Sequence, residues 1–297
     1  MKKYLGMAGL LLVTIIWGGG FVASDIALES LAPAQILTAR FGLASVLMLP
    51  LCARHLKKLE REEIKAGILL GIFLFGAFAF QTIGLQFTTP SKNAFLTATN
   101  VVIVPFIARV LYKKKVGLQG IAGAFMAIAG AGVLSLDRNF SIGLGDFLTL
   151  ICAVCFALQI FFTGEYVNRC RVTVLNFFQM ATAFVLSFLY LLTAGGGTLE
   201  AVTRNGVLSV IYLGAVSTTF TYLLQTVSQQ YVDETRSAII LSMEAVFGAL
   251  FSVIILKERI NVRMILGCIL ILGAVLVSEI KIKGLAWKKQ GLKEEME

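Results

Sequence analysis

Residues 225–259 read QTVSQQYVDETRSAIILSMEAVFGALFSVIILKER, from Gln225 to Arg259. One carboxylate, Glu244, interrupts an otherwise apolar run. An ungapped echo lies 144 residues earlier (Glu244 against Asn100): QTIGLQFTTPSKNAFLTATNVVIVPFIARVLYKKK, from Gln81 to Lys115. Gln81 falls on Gln225, Thr82 on Thr226, Gln86 on Gln230, Lys92 on Arg236, Lys113 on Lys257, and further out Gly123 on Gly267. Chance rarely aligns so many polar and glycine positions, so the chain reads as two copies of one unit.

Outward from this stretch the composition names the solvent. The 297 residues are 58% hydrophobic and 14% charged, whereas soluble domains carry about 25% charged residues. This is the composition of an all-α membrane protein. Ten apolar stretches approach the ~20 residues a helix needs to cross a bilayer. They run roughly over Leu5–Ala27, Pro33–Ala53, Ile64–Thr82, Asn93–Leu111, Gly117–Leu136, Leu144–Tyr166, Val172–Thr193, Gly206–Thr226, Thr235–Leu256 and Val262–Ile280. Pro33 suits a helix start, and Thr89-Pro90-Ser91 an N-cap. Residues 1–137 form the first five-helix repeat, residues 143–281 the second and residues 282–297 a tail.

The net charge of +9 does not mark a nucleic-acid binder. Its lysines and arginines sit in short loops between apolar spans, where they signal topology. Arg54, Lys57, Lys58, Arg61, Lys113, Lys114, Lys115, Arg169, Arg171 and the C-terminal lysines fall on one side, as do Lys2 and Lys3. Both termini are therefore expected in the cytoplasm, and the localisation is the cell membrane. Five spans per copy is an odd number, so the copies must insert upside down relative to each other, a recurring transporter design. The Met1-Lys2-Lys3 start before an apolar run reads as an uncleaved first helix, since no small-residue cleavage site follows.

Few residues could do chemistry. Glu244 lies about nine residues into its helix, so roughly 14 Å deep. Ionisable groups at that depth face a bundle interior or a watery cavity. Its face continues as Ser237, Leu241, Gly248 and Ser252, and the same face of the first copy carries Asn93, Thr97 and Asn100. Glu244 is expected to touch substrate or to carry a proton; the alternative is an interhelical hydrogen bond to Asn100. The eighth span is too polar to face lipid: Thr218, Tyr222 and Gln225 share one face, and Gln81 is the counterpart of Gln225. Trp17 is a candidate to stack on a ligand. The three glycines after it weaken the helix by ~1 kcal/mol each, so the helix is expected to unwind or hinge there. Gln159 is a further lining candidate. Asp25 and Arg40 are joined by a short loop and are expected to form a structural ion pair, because buried charges are normally paired.

Enzyme signals are lacking. The one histidine, His55, sits in a basic loop, and no phosphate-binding GxxxxGK[ST] segment occurs. The five cysteines lie mostly in or beside apolar spans and read as packing residues. Neither a cofactor nor a metal is called for. The expected partners are a small-molecule substrate, a coupled proton and the bilayer.

The pattern resembles the drug/metabolite transporter superfamily, in its ten-helix EamA type, over roughly residues 5–280. The matching residues are Trp17-Gly18 with Phe21, Pro33 with Arg40-Phe41, and Leu241-Ser242-Met243-Glu244-Ala245-Val246-Phe247 followed by Leu256-Lys257-Glu258-Arg259. The family usually has proline where Ala245 stands and glycine where Lys257 stands, and the first copy has Asn100 at the acidic position. The resemblance implies a secondary carrier, often an exporter, of amino acids or similar small metabolites. It also implies a cavity lined by helices one, three, four, six, eight and nine. The alternatives are a carrier of sugar phosphates or nucleotide sugars, which would want basic residues at mid-depth, and a membrane scaffold that transports nothing.

Overall fold

The computed structural model describes residues 2–113, 118–135, 142–194, 202–232, 234–259 and 261–279. The tail 282–297 and the joining residues Asp137-Arg138-Asn139 lie outside these. All regular structure among the described residues is helical: α1 (Lys2–Leu28), α2 (Pro33–Ala53), α3 (Arg61–Leu85), α4 (Pro90–Thr97), α5 (Asn100–Tyr112), α6 (Leu118–Ser135), α7 (Leu144–Tyr166), α8 (Val172–Ala194), α9 (Arg204–Ile211), α10 (Thr221–Gln229), α11 (Glu234–Ser242), α12 (Glu244–Phe251) and α13 (Val262–Glu279). Two π-helical stretches, Tyr212–Phe220 and Ser252–Leu256, continue α9 into α10 and extend α12. Eight helices or merged helices among the described residues are long and apolar enough to cross a membrane, and Ile121–Val133 and Val262–Ala274 are shorter apolar helices.

The 144-residue echo returns in the backbone. α4 starts at Pro90 and α11 at Glu234, α5 at Asn100 and α12 at Glu244, and α6 and α13 at Leu118 and Val262. Lys113 (φ 54°) and Lys257 (φ 55°), both closing helices in the left-handed conformation, are the two described non-glycine residues with positive φ. Both copies also break in mid-span, before Asn100 and before Glu244. The preceding residues, Thr99 (φ −62°, ψ −13°) and Met243 (φ −62°, ψ −14°), have nearly identical backbones. At each break a hydroxyl captures the carbonyl three residues back: Thr99 Oγ1 donates to Leu96 O at 2.6 Å and Ser242 Oγ to Ile239 O at 2.6 Å. Such back-bonding competes with the helical ladder and bends it.

In lipid there is little hydrophobic drive between helices, so small residues and polar contacts set the packing. α3 lies between α7 and α8, α1 packs on α12 and α10, and α6 packs on α13. Gly84 and Gly145 let α3 and α7 cross so closely that a Cβ on Gly145 would sit 2.6 Å from the Gly84 carbonyl oxygen. Trp17, Leu37, Phe41, Phe78, Tyr222 and Leu241 belong to the largest apolar core, whereas Phe125, Ile128, Leu192 and Ile254 point outward. The three glycines after Trp17 do not unwind α1, which runs unbroken from Lys2 to Leu28. They serve close approach instead, Gly18 against Phe247 and Gly248.

Charge clusters tie both ends of the bundle. At one end Arg171 donates to the buried Glu63 carboxylate through Nε (2.7 Å) and Nη2 (2.5 Å), and its backbone N–H adds a 3.0 Å bond. These bonds hold the guanidinium above its usual range of protonation. At the other end Lys92 pairs with Asp146 at 2.6 Å, and Glu258 accepts from Ser91 N–H, Ser91 Oγ and Ser252 Oγ.

Candidate functional site

The two mid-span breaks point the site inward. Where a helix breaks, the residue opening its next segment is free of the regular ladder, and here those residues are Asn100 and Glu244. Both are buried, with side chains on a small central cavity. Trp17, Gly20, Phe21 and Ser24 of α1 line it, as do Arg40 of α2, Phe78 and Gln81 of α3, Phe156 and Ile160 of α7, Ser217 and Leu241. Its volume of about 20 Å³ is room for about one water. The side chains around the cavity thus leave it little free space.

Glu244 is 6% exposed and makes no hydrogen bond among the described residues, so the bond to Asn100 weighed from the sequence is not formed; Asn100 Oδ1 is itself buried without a partner. An unpaired carboxylate in a dry interior costs several kcal/mol when ionised. Glu244 is thus a group whose charge awaits a partner. On the same cavity stands Arg40, 3% exposed. Its Nε donates to Thr218 Oγ1 at 2.5 Å, Nη2 reaches Ser217 Oγ at 3.5 Å, and its Cζ lies 3.7 Å from the centroid of the Phe78 ring. Neutral oxygens and a π-face hold this guanidinium, and no carboxylate among the described residues pairs with it.

The expected Asp25–Arg40 ion pair is therefore not formed. Lys92 pairs with Asp146 and Arg171 with Glu63, while Arg40 turns across to the π-helical stretch between α9 and α10. That stretch has its own reason to be irregular. Widening the helix frees the Ser217 carbonyl, which accepts from Trp17 Nε1 at 3.0 Å as well as from Thr221 Oγ1 at 2.7 Å. Irregularities of this kind are frequent at functional sites.

Of the residues singled out from the sequence, Glu244, Asn100, Trp17 and Gln81 line the cavity. Tyr222, Thr218, Gln225 and Gln159 are buried outside its lining. Tyr222 packs its ring against Trp17 at 5.1 Å and Phe78 at 6.2 Å. Thr218 holds Arg40. Gln225 Nε2 donates to Gln229 Oε1 at 3.1 Å, and Gln159 Nε2 to Thr163 Oγ1 at 3.0 Å. Gln81 Nε2 donates to Thr97 Oγ1 at 3.2 Å, tying α3 to the broken helix that carries Asn100. The sequence reading missed Ser24, Ser217, Phe78 and Phe156 as lining residues and assigned Arg40 a structural task. The repeat held one available signal: Phe78 is the 144-residue counterpart of Tyr222.

A helical bundle with apolar outer faces, charge at both ends and a polar centre is a multi-pass membrane protein. The chain belongs to the EamA-like transporter family, whose profile matches it twice, over residues 4–136 and 143–279. It is 32% identical over 282 residues to an uncharacterized transporter of Archaeoglobus fulgidus, covering 95% of this chain and 88% of that one. It is 24% identical over 294 residues to a probable amino-acid metabolite efflux pump of Escherichia coli K12, covering 94% and 95%. A solved crystal structure at 15% identity superposes with a TM-score of 0.69 over 93% of this chain and 97% of its own, a likeness of fold.

Proposed function

We propose that this protein is a secondary carrier that exports a small zwitterionic, amino-acid-like metabolite across the cytoplasmic membrane by alternating access. Glu244 receives the ammonium group, and Arg40 with Ser217 receives the carboxylate. Trp17, Phe78 and Phe156 enclose the carbon skeleton, and Asn100 and Gln81 offer neutral hydrogen bonds. The observation that carries this reading is one small cavity lined by both Glu244 and Arg40, the carboxylate without a hydrogen bond and the guanidinium without a carboxylate partner among the described residues. A zwitterion supplies both missing charges at once, and a substrate-free Glu244 takes a proton in its place. The name of the Escherichia coli relative points the same way. A phosphorylated substrate fits worse, because its dianion would meet Glu244 and, among the described lining residues, Arg40 as the one cation.

The architecture in this reading is ten spans in two inverted five-helix repeats, residues 1–137 and 143–281, with both termini and the tail 282–297 in the cytoplasm. The packing supports it. Exchanging the two halves turns the contacts of α1 with α11 and α12 into those of α7 with α4 and α5, and the contact of α3 with α8 into that of the π-helical stretch with α2. The α6–α13 contact maps onto itself.

Glu244→Gln tests the site. The amide keeps the shape and removes the charge, so it forfeits a charge-assisted bond of about 1.5–3 kcal/mol, roughly ten- to hundredfold in affinity. In proteoliposomes, counterflow of radiolabelled amino acids falls by at least that factor while the protein inserts normally. Full counterflow by Glu244→Gln refutes the assignment.

A further inference from the structure

Beside the cavity lies a second polar feature that the site does not use. Gln159 of α7, Asn176 and Gln179 of α8, and Tyr222 and Gln225 of α10 are each 0–1% exposed. Each keeps a buried polar atom without a hydrogen-bond partner: Gln159 Oε1, Asn176 Oδ1, Gln179 Nε2, Tyr222 Oη and Gln225 Oε1. Leaving such groups unpaired in a dry interior is costly, and native proteins rarely keep several together without a use for them.

Their placement gives the use. α10 packs on both α7 and α8, and Gln229 Nε2 reaches across to Ile160 O at 3.3 Å. Asn176 and Gln179 lie four and seven residues after the start of α8, about 6 and 10 Å along it. Gln225 lies four residues before the end of α10 and Gln159 seven before the end of α7, at the same depths. All therefore sit between the central cavity and the end of the bundle that carries Arg171. The column reaches the cavity at Tyr222, whose ring lies on Trp17. The other half of the molecule is built differently. The 144-residue counterparts of Tyr222 and Gln229 are Phe78 and Leu85, and the residues four and seven into α2 are Leu37 and Arg40. The other end has its own buried polar groups, Asn93, Thr97 and Thr149, of which Asn93 keeps Oδ1 without a partner.

We infer that Gln159, Gln179 and Gln225, with Asn176 and Tyr222, form a collapsed conduit through which a net-neutral polar solute passes between the Arg171 face and the cavity. The amides serve as a transit subsite, lending donors and acceptors in place of water. They carry no charge, so a zwitterion or uncharged polar solute moves through them without being held, whereas an ion of net charge gains no counter-charge there. This rests on the carrier reading above and adds where the solute enters and what filters it.

The test uses the full chain with its native cysteines replaced and single cysteines at Gln179, Gln225, Leu37 and Ser217. Vesicles of either orientation are treated with a membrane-impermeant, uncharged sugar-linked methanethiosulfonate, and Arg171→Cys reports which face is outward. The expected result is reaction of Gln179→Cys and Gln225→Cys at least about tenfold faster from the Arg171 face than from the other, with Leu37→Cys silent from that face. If Ser217→Cys reacts from the Arg171 face while both glutamine positions stay silent, the conduit is refuted and the cavity stands. If Ser217→Cys is silent from both faces, the cavity reading falls as well. Should a cysteine variant fail to fold, the Gln179→Leu/Gln225→Leu double variant decides. The double variant removes two unpartnered polar atoms at the cost of the Gln225–Gln229 bond, so the expected outcome is normal insertion with transport reduced at least tenfold, and unchanged transport overturns the proposal.

Discussion

A single methyl group on Gly18 probes how tightly the site's two walls are joined. An alanine Cβ there would stand 2.5 Å from Phe247 Cβ, 2.8 Å from Phe247 C and 2.9 Å from Gly248 N. Carbon atoms prefer about 3.5–4.0 Å, and two of the three neighbours are backbone, which no rotamer change can move. α1 and α12 must therefore part by about 1 Å. Two effects oppose each other. Alanine returns about 1 kcal/mol of helix propensity, while overpacking of this kind costs about 1–3 kcal/mol. The neighbouring Gly19 is the control, because its Cβ would meet only Tyr212 Oη, at 2.8 Å on the end of a side chain. Gly19→Ala is expected to melt at or slightly above the parent temperature, and Gly18→Ala a few degrees below it, at roughly 2–4 °C per kcal/mol. Glu244 opens α12, one turn before Gly248, so the same shift displaces its carboxyl. A misplacement of about 1 Å can cost up to a hundredfold in a positioned site, and counterflow is expected to fall more than stability does. Thermal unfolding in detergent and counterflow in proteoliposomes measure the two. A Gly18→Ala protein that melts higher than its parent would refute the packing argument, since propensity alone would then have decided.

Arg40→Met keeps a stem against Phe78 and removes the guanidinium; the protein is expected to insert normally and to lose at least tenfold in apparent substrate affinity, read as a raised KM in uptake assays. Arg40→Lys is expected to rescue little, because an ammonium cannot present the planar fork that spans Thr218 and Ser217 or stack flat on Phe78. Glu258→Gln removes the negative charge beside the N-terminus of α4, where a carboxylate contributes about 0.3–1 kcal/mol beyond its hydrogen bonds. A lower melting temperature is expected, with faster thiol labelling of Ser24→Cys from that end of the bundle; unchanged melting and unchanged labelling would show that the cluster does not hold the end closed.

Much of the fold was legible because the information was periodic. Span lengths follow from bilayer thickness, and the offset of Asn100 and Glu244 located equivalent elements to the residue. The mid-span breaks were not legible, since neither Met243 nor Thr99 is a helix breaker. The bends come from Thr99 and Ser242 hydroxyls turning back on their own helices, a choice between solvating a neighbour and a carbonyl that tertiary packing settles. The unwinding expected after Trp17 failed for a related reason. Three glycines lower helix propensity, but the gain from seating α1 on α12 outweighs it. At the site, mid-depth polarity found Glu244, Asn100, Trp17 and Gln81. It could not separate the residues lining the cavity from the amides of α7, α8 and α10, because both sets share the same pattern of buried polarity. Asp25 was expected to pair with Arg40 because the two are close in sequence, whereas a long side chain at that depth reaches across the bundle to Thr218.

Why the two copies diverged at their central position follows from the charge of the pocket. Had both breaks opened on a carboxylate, two acids and one arginine would face a space of about 20 Å³, leaving a net negative cavity that favours cations. With Asn100 on one copy and Glu244 on the other, the fixed charges sum to zero once Arg40 is counted. A dry pocket of that kind gains most from a solute that is neutral overall but charged at both ends, because each end replaces lost hydration with an opposite charge. The backbone break stays duplicated, as the shared conformations of Thr99 and Met243 show, while the side chain following it does not. In the proposed carrier the duplication supplies two equivalent walls, and a carboxylate on one of them alone sets what they close upon.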